Sequence, residues 1–345
     1  MFAILAILAV ACTLPQRAGT GGHWAEVRAR ALPRAELEER LRLGEGVELL
    51  AAWRLDSDDP RFGGFSGLLV HEGRLLALSD RGTLWSAPLP DPHGPLAPPT
   101  AWQVSELRIG ARAPDSEDLA RTPDRRLWIA LEGAHALAPL PVPAGGDAPL
   151  DLEPRPLPEP IAGLPKNLGI EALVALPDGS LLAIGEGRLG ETHPALLLRD
   201  GRPVRTLGYR PAPSFAPTAA EHIGDWLLVL ERRFSPLRGF AARLVAHPAR
   251  DATDLPAIVE PAFELARWLG SWSIDNLEGL AAEPPDDQGT VRLWLVADDN
   301  FNPWQRTLLI ALAWRPQPAA AVRASSRRLS RTSSRGSSLS ATLLR

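Results

Sequence analysis

The chain has 345 residues, 45% of them hydrophobic, a formal net charge of −4 and a sequence pI near 6.0. That is enough for one large domain, and the acidic balance gives no electrostatic footprint for nucleic acid. The single cysteine, Cys12, excludes a disulfide framework and a cysteine-built metal site, while 35 prolines and 29 glycines favour many turns between short strands over long helices.

The chain begins with an apolar run, FAILAILAVA at 2–11, too short to span a bilayer and suited to the core of an export signal. It ends Ala9-Val10-Ala11-Cys12, which resembles a bacterial lipobox, although Ala stands where Leu is usual and no basic residue precedes the run. Three readings stand: a lipoprotein signal with lipidation at Cys12, a secretory signal cleaved within 1–21, or a misplaced start. The first two place the mature protein outside the cytoplasm, as a periplasmic or outer-membrane lipoprotein or a secreted protein. A lipid anchor at the N-terminus would be its one contact with a membrane. Residues 22–45 read as a tether or edge-covering segment, with a short helix from Pro33 to about Leu43. A strand follows at 46–55, GVELLAAWRL.

From residue 65 one pattern recurs: a first strand, a turn and a second strand, with acids where the first begins and just beyond where the second stops. FSGLLV and GRLLALSDRG (65–82) end in Asp80 and Arg81; SEDLAR and RRLWIALEG (116–133) carry Glu117 and Asp118, then Glu132. GIEALVALPDGSLLAIGEG (169–187) carries Glu171, then Glu186; APTAAEHIGDWLLVLERR (216–233) ends in Glu231, Arg232 and Arg233. SIDNLEGLAAEPPDDQGTVRLWLVADDNF (273–301) carries Asp275 and Glu278, then Asp298 and Asp299. Short strands recurring about every 50 residues are the signature of propeller blades, so the spacing predicts an all-β propeller in which five copies are visible. The last copy has only TLLIALAW (307–314) as a third strand, so 46–55 is expected to pair there, closing the ring and removing its free edges. Proline-rich 139–165 reads as an elaborated loop with outer strands. Trp85, Trp128, Trp226 and Trp294, in or just after second strands, are expected to pack between blades. The propeller then covers 46–315, and 316–345, rich in Ser and Arg without an acid, is expected to be disordered.

Several familiar sites are excluded. GGFSG at 63–67 has Leu68 where a nucleophile elbow needs its last Gly, the seven histidines form no ligand spacing, and no phosphate-binding loop occurs. The recurring acids remain. First strands line the channel of a propeller, so Asp80, Glu117, Asp118, Glu132, Glu171, Glu186, Glu231, Glu278 and Asp298 are expected to ring one mouth. Arg81, Arg232, Arg233, Lys166, Asn167, Asn276 and Asn300 fall among them. Hard oxygen donors in excess suit Ca²⁺, and cations beside it suit an anionic group. The expected metal ligands are Asp80, Glu132, Glu171, Glu186, Glu278 and Asp298. Arg81, Lys166 and Arg232 are expected to hold the anion. Glu171 and Glu278, at the same place in the two best-preserved copies, are the expected catalytic pair. The competing reading is that such acids bond backbone amides and tie blades together.

SDRG at 79–82, NLGIEAL at 167–173, the LEG and GEG strand ends, NLEGLA and the ADDNF of 297–301 resemble the phytase-like propeller family across about 46–315. The fourth copy departs most, with Ala219-Ala220 where others carry an acid or Gly. The resemblance implies esterase-like activity of the phytase type, six blades as in related phytases, calcium held by mouth carboxylates, a bridging phosphate and attack of water on phosphorus. Phytate itself, highly anionic, is a poor match for a net acidic mouth. The expected function is an exported, calcium-dependent hydrolase of a phosphate ester or other ester, acting as a monomer on a small anionic or ester substrate. A lactonase-like propeller enzyme and a non-catalytic envelope propeller that binds a protein or glycan are the alternatives.

Overall fold

Pairs of short apolar strands separated by Gly- and Pro-rich turns can bury both faces only by stacking sheet on sheet, and here they do so around a ring. The computed structural model describes residues 23–91, 96–141, 148–271 and 276–319. The expected export signal with Cys12, the acid Asp275 and nearly all of the Ser/Arg-rich tail lie outside the described residues.

The inner strands are Phe65–His71, Ser116–Arg121, Ile170–Ala175, Ala216–Ile223 and Asn276–Ala282. Each packs beside the next, and the fifth packs beside the first, so the ring closes at five blades and the sixth implied by the phytase resemblance is absent. The inner strand of every blade pairs antiparallel with a second strand, and that with a third. Blade two is the slightest, its outer edge being only Arg155–Pro156. Blade five takes its fourth strand from the other end of the chain: Val47–Asp56 pairs antiparallel with Leu308–Trp314, Trp53 opposite Leu309.

Residues 23–45 cover sheet edges. His23–Glu26 adds to the outer strand of blade one, Arg28–Ala31 to Val47–Asp56, and Leu41–Leu43 to the outer strand of blade four. The helix between them is only Arg34–Glu38. At the other end, the Trp226 indole donates to the Gln317 carbonyl at 3.2 Å and Ala319 is buried, so packing continues past the boundary expected at Arg315.

The core lies between blades. Trp85, Trp128, Trp226 and Trp294 are all buried. Trp85 meets Phe62 and Phe65 edge-on at 5.3 and 6.0 Å, and Trp294 stacks on Trp53 at 6.3 Å. Because neighbouring strands are antiparallel, inner strands begin, second strands end and second-to-third-strand loops turn on one face, the mouth face.

Candidate functional site

Every inner strand carries one extra residue at the same level. The pairing slips by one between Phe65 and Gly67, Ile170 and Ala172, Pro217 and Ala219, and Leu277 and Gly279, and blade two slips likewise between Ser116 and Leu119. The unpaired residues are Ser66, Glu117, Glu171, Thr218 and Glu278. A bulge bends its strand and re-aims one side chain, so three glutamates and two hydroxyls occupy one repeated place. The next position is small where neighbouring strands press together. A Cβ on Gly279 would fall 2.6 Å from Val296 Cγ1 and 2.9 Å from Leu68 Cβ. The two hydroxyls tie blades: Ser66 Oγ donates to the Ser116 carbonyl at 2.7 Å, and Thr218 Oγ1 to the Leu277 carbonyl at 3.3 Å.

A second set of five stands at one repeated level of the second strand, one residue beyond the partner of the residue that precedes the bulge: Asp80, Glu132, Glu186, Arg232 and Asp298. Blade four thus supplies a guanidinium where the others supply carboxylates. Arg232 Nη1 lies 3.0 Å from Glu278 Oε1 and Arg232 Nη2 lies 3.7 Å from Glu186 Oε1. Arg232 also donates to Asn276 Oδ1, and Asn276 Nδ2 donates to Glu278 Oε1 at 2.6 Å. On the far side, Asp115, Glu117 and Glu132 each offer an oxygen within 4.8 Å of the others. Asp115 is absent from the residues expected from sequence. Its signal is weak: a polar residue directly before the inner strand, at a place shared with Asn276 but held by Gly64 and Gly169 elsewhere.

The electrostatics follow from this crowding. Burial raises Glu117 far above the usual carboxylate range, and Glu171, Glu278 and Glu132 add to it. Burial likewise raises Glu171, with Glu186 and Glu278 adding and Arg232 opposing. Asp80 is pushed up to about 6, Glu132 to about 7 and Asp298 to about 8, each mainly by burial. The Glu132 and Asp115 carboxyl groups stand within hydrogen-bonding reach of each other, which two bare carboxylates tolerate only around a shared proton or cation. Burial lowers Arg232, but Glu278, Glu171, Glu186 and Asp298 outweigh it and hold the guanidinium charged. Eight carboxylates around one guanidinium make a site with a strong demand for positive charge.

Residues 60–301, well over half of the chain and including all five bulges and all five residues of the second set, match the phytase-like family, described as esterase-like activity of phytase. The chain belongs to that family. No curated protein sequence matches this phytase-like chain. It is similar to the solved gluconolactonase of Xanthomonas campestris, at 14% identity over 87% of this chain and 99% of that one, with a TM-score of 0.41. It is also similar to the PQQ-bound aldose sugar dehydrogenase of Streptomyces coelicolor (14% identity, 77% and 97% covered, TM-score 0.42). A third is virginiamycin B lyase of Staphylococcus aureus (9% identity, 83% and 99% covered, TM-score 0.38). At these values the likeness carries nothing about chemistry.

In this phytase-like propeller several expected site residues stand elsewhere. Asp118 is buried between strands, accepting the N–H of Leu119 at 2.8 Å and of Leu173 at 2.7 Å, so it ties blade two to blade three. Glu231, opposite Pro217, lies one residue before Arg232 along its strand and therefore faces the opposite side of its sheet. There it accepts the Tyr209 hydroxyl at 2.6 Å, with Arg243 Nε at 3.4 Å. The Arg81 guanidinium packs 3.3 Å over the Phe301 ring, and Arg233 lies 5.1 Å from the Phe215 ring. Lys166, Asn167 and Asn300 are exposed. Of the three cations expected to hold an anion, Arg232 alone sits among the carboxylates. Of the six expected metal ligands, Glu132 joins the tight oxygen cluster, while Glu186 and Glu278 face Arg232. A cavity of about 880 Å³ opens at the other end of the channel, is lined by Leu69, Leu119, Leu173, Ala220 and Ala282 among others, and contains none of the ring carboxylates. Its one buried acid, Glu221, accepts backbone N–H groups of His222 (2.8 Å) and Ala282 (3.3 Å) and so joins blades four and five.

Proposed function

We propose that this phytase-like protein is an exported hydrolase that works at the mouth face on a phosphate ester or another ester, with a divalent cation whose donor set fits calcium. The observation that carries this reading is the convergence of acids from four blades around Arg232, which the fifth supplies. Asp115, Glu117 and Glu132 fit such an ion: three hard oxygens already close together, of the kind calcium prefers, with their mutual repulsion left for a cation to relieve. A bound divalent cation supplies Lewis acidity toward the ester oxygen and toward water.

The chain's own residues supply the rest. Arg232 is the fixed positive charge that meets an anionic oxygen of the substrate. Glu278, Glu186 and Asn276 brace that guanidinium, so Glu278 is a positioning residue in this arrangement. Glu171, buried, held well above the usual carboxylate range and flanked by Glu186, Glu278 and Arg232, is the residue we assign to exchange a proton with a reacting group. The net acidity of the mouth favours substrates of low charge over a polyphosphate.

The test is a screen of the purified protein on phosphate monoesters and diesters, carboxylic esters and lactones, with calcium and with chelator. Hydrolysis should require calcium and fall at least a hundredfold in Glu132→Gln and Glu171→Gln. Glu260→Gln, whose carboxylate pairs with Arg210 on the rim, should behave as wild type. No hydrolysis of any class, with melting temperature unmoved by calcium, would leave the mouth a binding surface only. Mass spectrometry of the mature N-terminus tests export, which requires a lipidated Cys12 or a cleavage nearby.

A further inference from the structure

Most large apolar side chains are buried, and the two most exposed, Leu237 (92%) and Trp304 (89%), stand on loops of the mouth face. Leu237 lies on the loop after Trp226–Ser235 in blade four, with exposed Phe234 at the end of that strand. Trp304 lies on the loop after Val291–Asp298 in blade five, and exposed Leu189 on the loop after Leu181–Gly185 in blade three. All three loops join a second strand to a third, so they project to the same side from adjacent blades. Three of the four apolar residues have an arginine as chain neighbour: Arg188 beside Leu189, Arg233 beside Phe234, Arg238 beside Leu237. Arg188, Arg238 and the nearby Lys166 are exposed and enter no ion pair among the described residues. The carboxylates on these loops are engaged: Glu191 lies 3.9 Å from Arg210, and Asp299 accepts the N–H groups of Gly64 and Phe301 and the Thr307 hydroxyl, each at 3.0 Å. Glu186 is turned inward to Arg232.

We propose that this side of the mouth face seats the protein on an anionic phospholipid bilayer. Leu189, Phe234, Leu237 and Trp304 enter the headgroup boundary, and Arg188, Arg233, Arg238 and Lys166 meet lipid phosphates. Phe234 packs on Phe240 at 4.9 Å yet stays half exposed, and exposed apolar side chains on one rim are costly to leave in water; with the exposed Arg188 and Arg238 beside Leu189 and Leu237 they match an interface that is apolar below and anionic above. A carbohydrate or protein partner would account for the aromatic side chain but not for the arginine beside three of the four apolar residues. Of the mouth acids, Glu171 and Asp298 are buried and Glu186 and Glu278 face Arg232, and salt screens charge beyond about 8 Å. The strand His23–Glu26 also begins toward this face, since His23 pairs with Val104 and Glu26 with Ala101. The ten residues between Cys12 and His23, eleven steps from one Cα to the next, reach at most about 40 Å. A lipid at Cys12 would therefore pull the same face inward, and stable anchoring takes two such signals.

The test is cosedimentation of the full chain with phosphatidylcholine vesicles, with and without phosphatidylglycerol, in the presence of chelator so that calcium forms no bridge. Binding should require phosphatidylglycerol and weaken with salt. Leu237→Asp with Trp304→Ser should reduce partitioning at least tenfold, and Arg238→Ala about fivefold. Val204→Asp, exposed to 56% on the outer strand of blade three, should change nothing. Brominated acyl chains should quench tryptophan fluorescence in wild type and lose most of that effect in Trp304→Leu. Wild-type partitioning in the Leu237 and Trp304 variants, with melting temperatures unchanged, would overturn the proposal and assign any binding to the chain outside the described residues. Equal binding to neutral vesicles would overturn it as well.

Discussion

Arg232→Met is the most informative single change, because it removes the one cation among the mouth carboxylates and little else. The guanidinium lies 3.0 Å from Glu278 and 3.7 Å from Glu186, with side-chain exposures of 20% for Arg232 and 13% for Glu278. Removing one partner of a buried ion pair costs about 3–5 kcal/mol, because the other charge stays behind unpaired. Water in the channel softens the penalty here, so the low end, about 3 kcal/mol, is expected. In a domain of this size that lowers the melting temperature by roughly 6 °C. The cost should depend on pH with a definite sign. Losing Arg232 raises Glu278 and Glu171 further, and a carboxyl group raised in the folded state contributes stability that is present below its unfolded pKa and lost as pH rises through the folded one. The deficit should therefore be large at pH 8 and small at pH 5. Arg232→Met with Glu278→Gln should recover at least half of it, since the stranded charge is gone. Thermal melting in chelator at the two pH values reads all of this. A variant that melts with wild type at pH 8, an equal deficit at pH 5, or simple addition in the double variant would refute the reasoning.

Wild type itself should show the same sign. Asp80, Glu132 and Asp298, at about 6, 7 and 8, all lie above their ordinary values, so in chelator the melting temperature should fall as pH rises from 5 to 8.5. Calcium at a hundredfold excess over its Kd should restore about 2.7 kcal/mol at the upper end; a melting temperature that climbs across that window without metal would contradict the assignment. Truncation after Arg315 removes the Gln317 carbonyl from Trp226 and exposes the pocket of Ala319, for a loss of about 1–2 kcal/mol, whereas truncation after Ala319 should leave melting unchanged.

Much was legible in the sequence alone. Strand pairs with acids at fixed places recur from FSGLLV to NLEGLAA, and repetition at that spacing allows few folds other than a propeller. A last copy that lacks a strand and a first segment that has one to spare also told how the ring closes. The acids Glu117, Glu132, Glu171, Glu186, Glu278 and Asp298 were legible as a set, because a repeat puts equivalent residues at equivalent heights.

The phase of each repeat was not legible. Side chains along a strand alternate with period two, so a single unpaired residue reverses what faces the channel, and a bulge leaves no unambiguous mark in the letters. That is why Glu117 reaches the mouth while Asp118, its neighbour, clasps Leu173. It is also why the fourth blade contributes Arg232 and sends Glu231 to Tyr209. Nor could the sequence show that Asp115, just ahead of its strand, stands with Glu117 and Glu132, or that Arg81 lies on Phe301. Those distances are set between blades and between loops, where residues far apart in the chain meet only after the ring has closed on five.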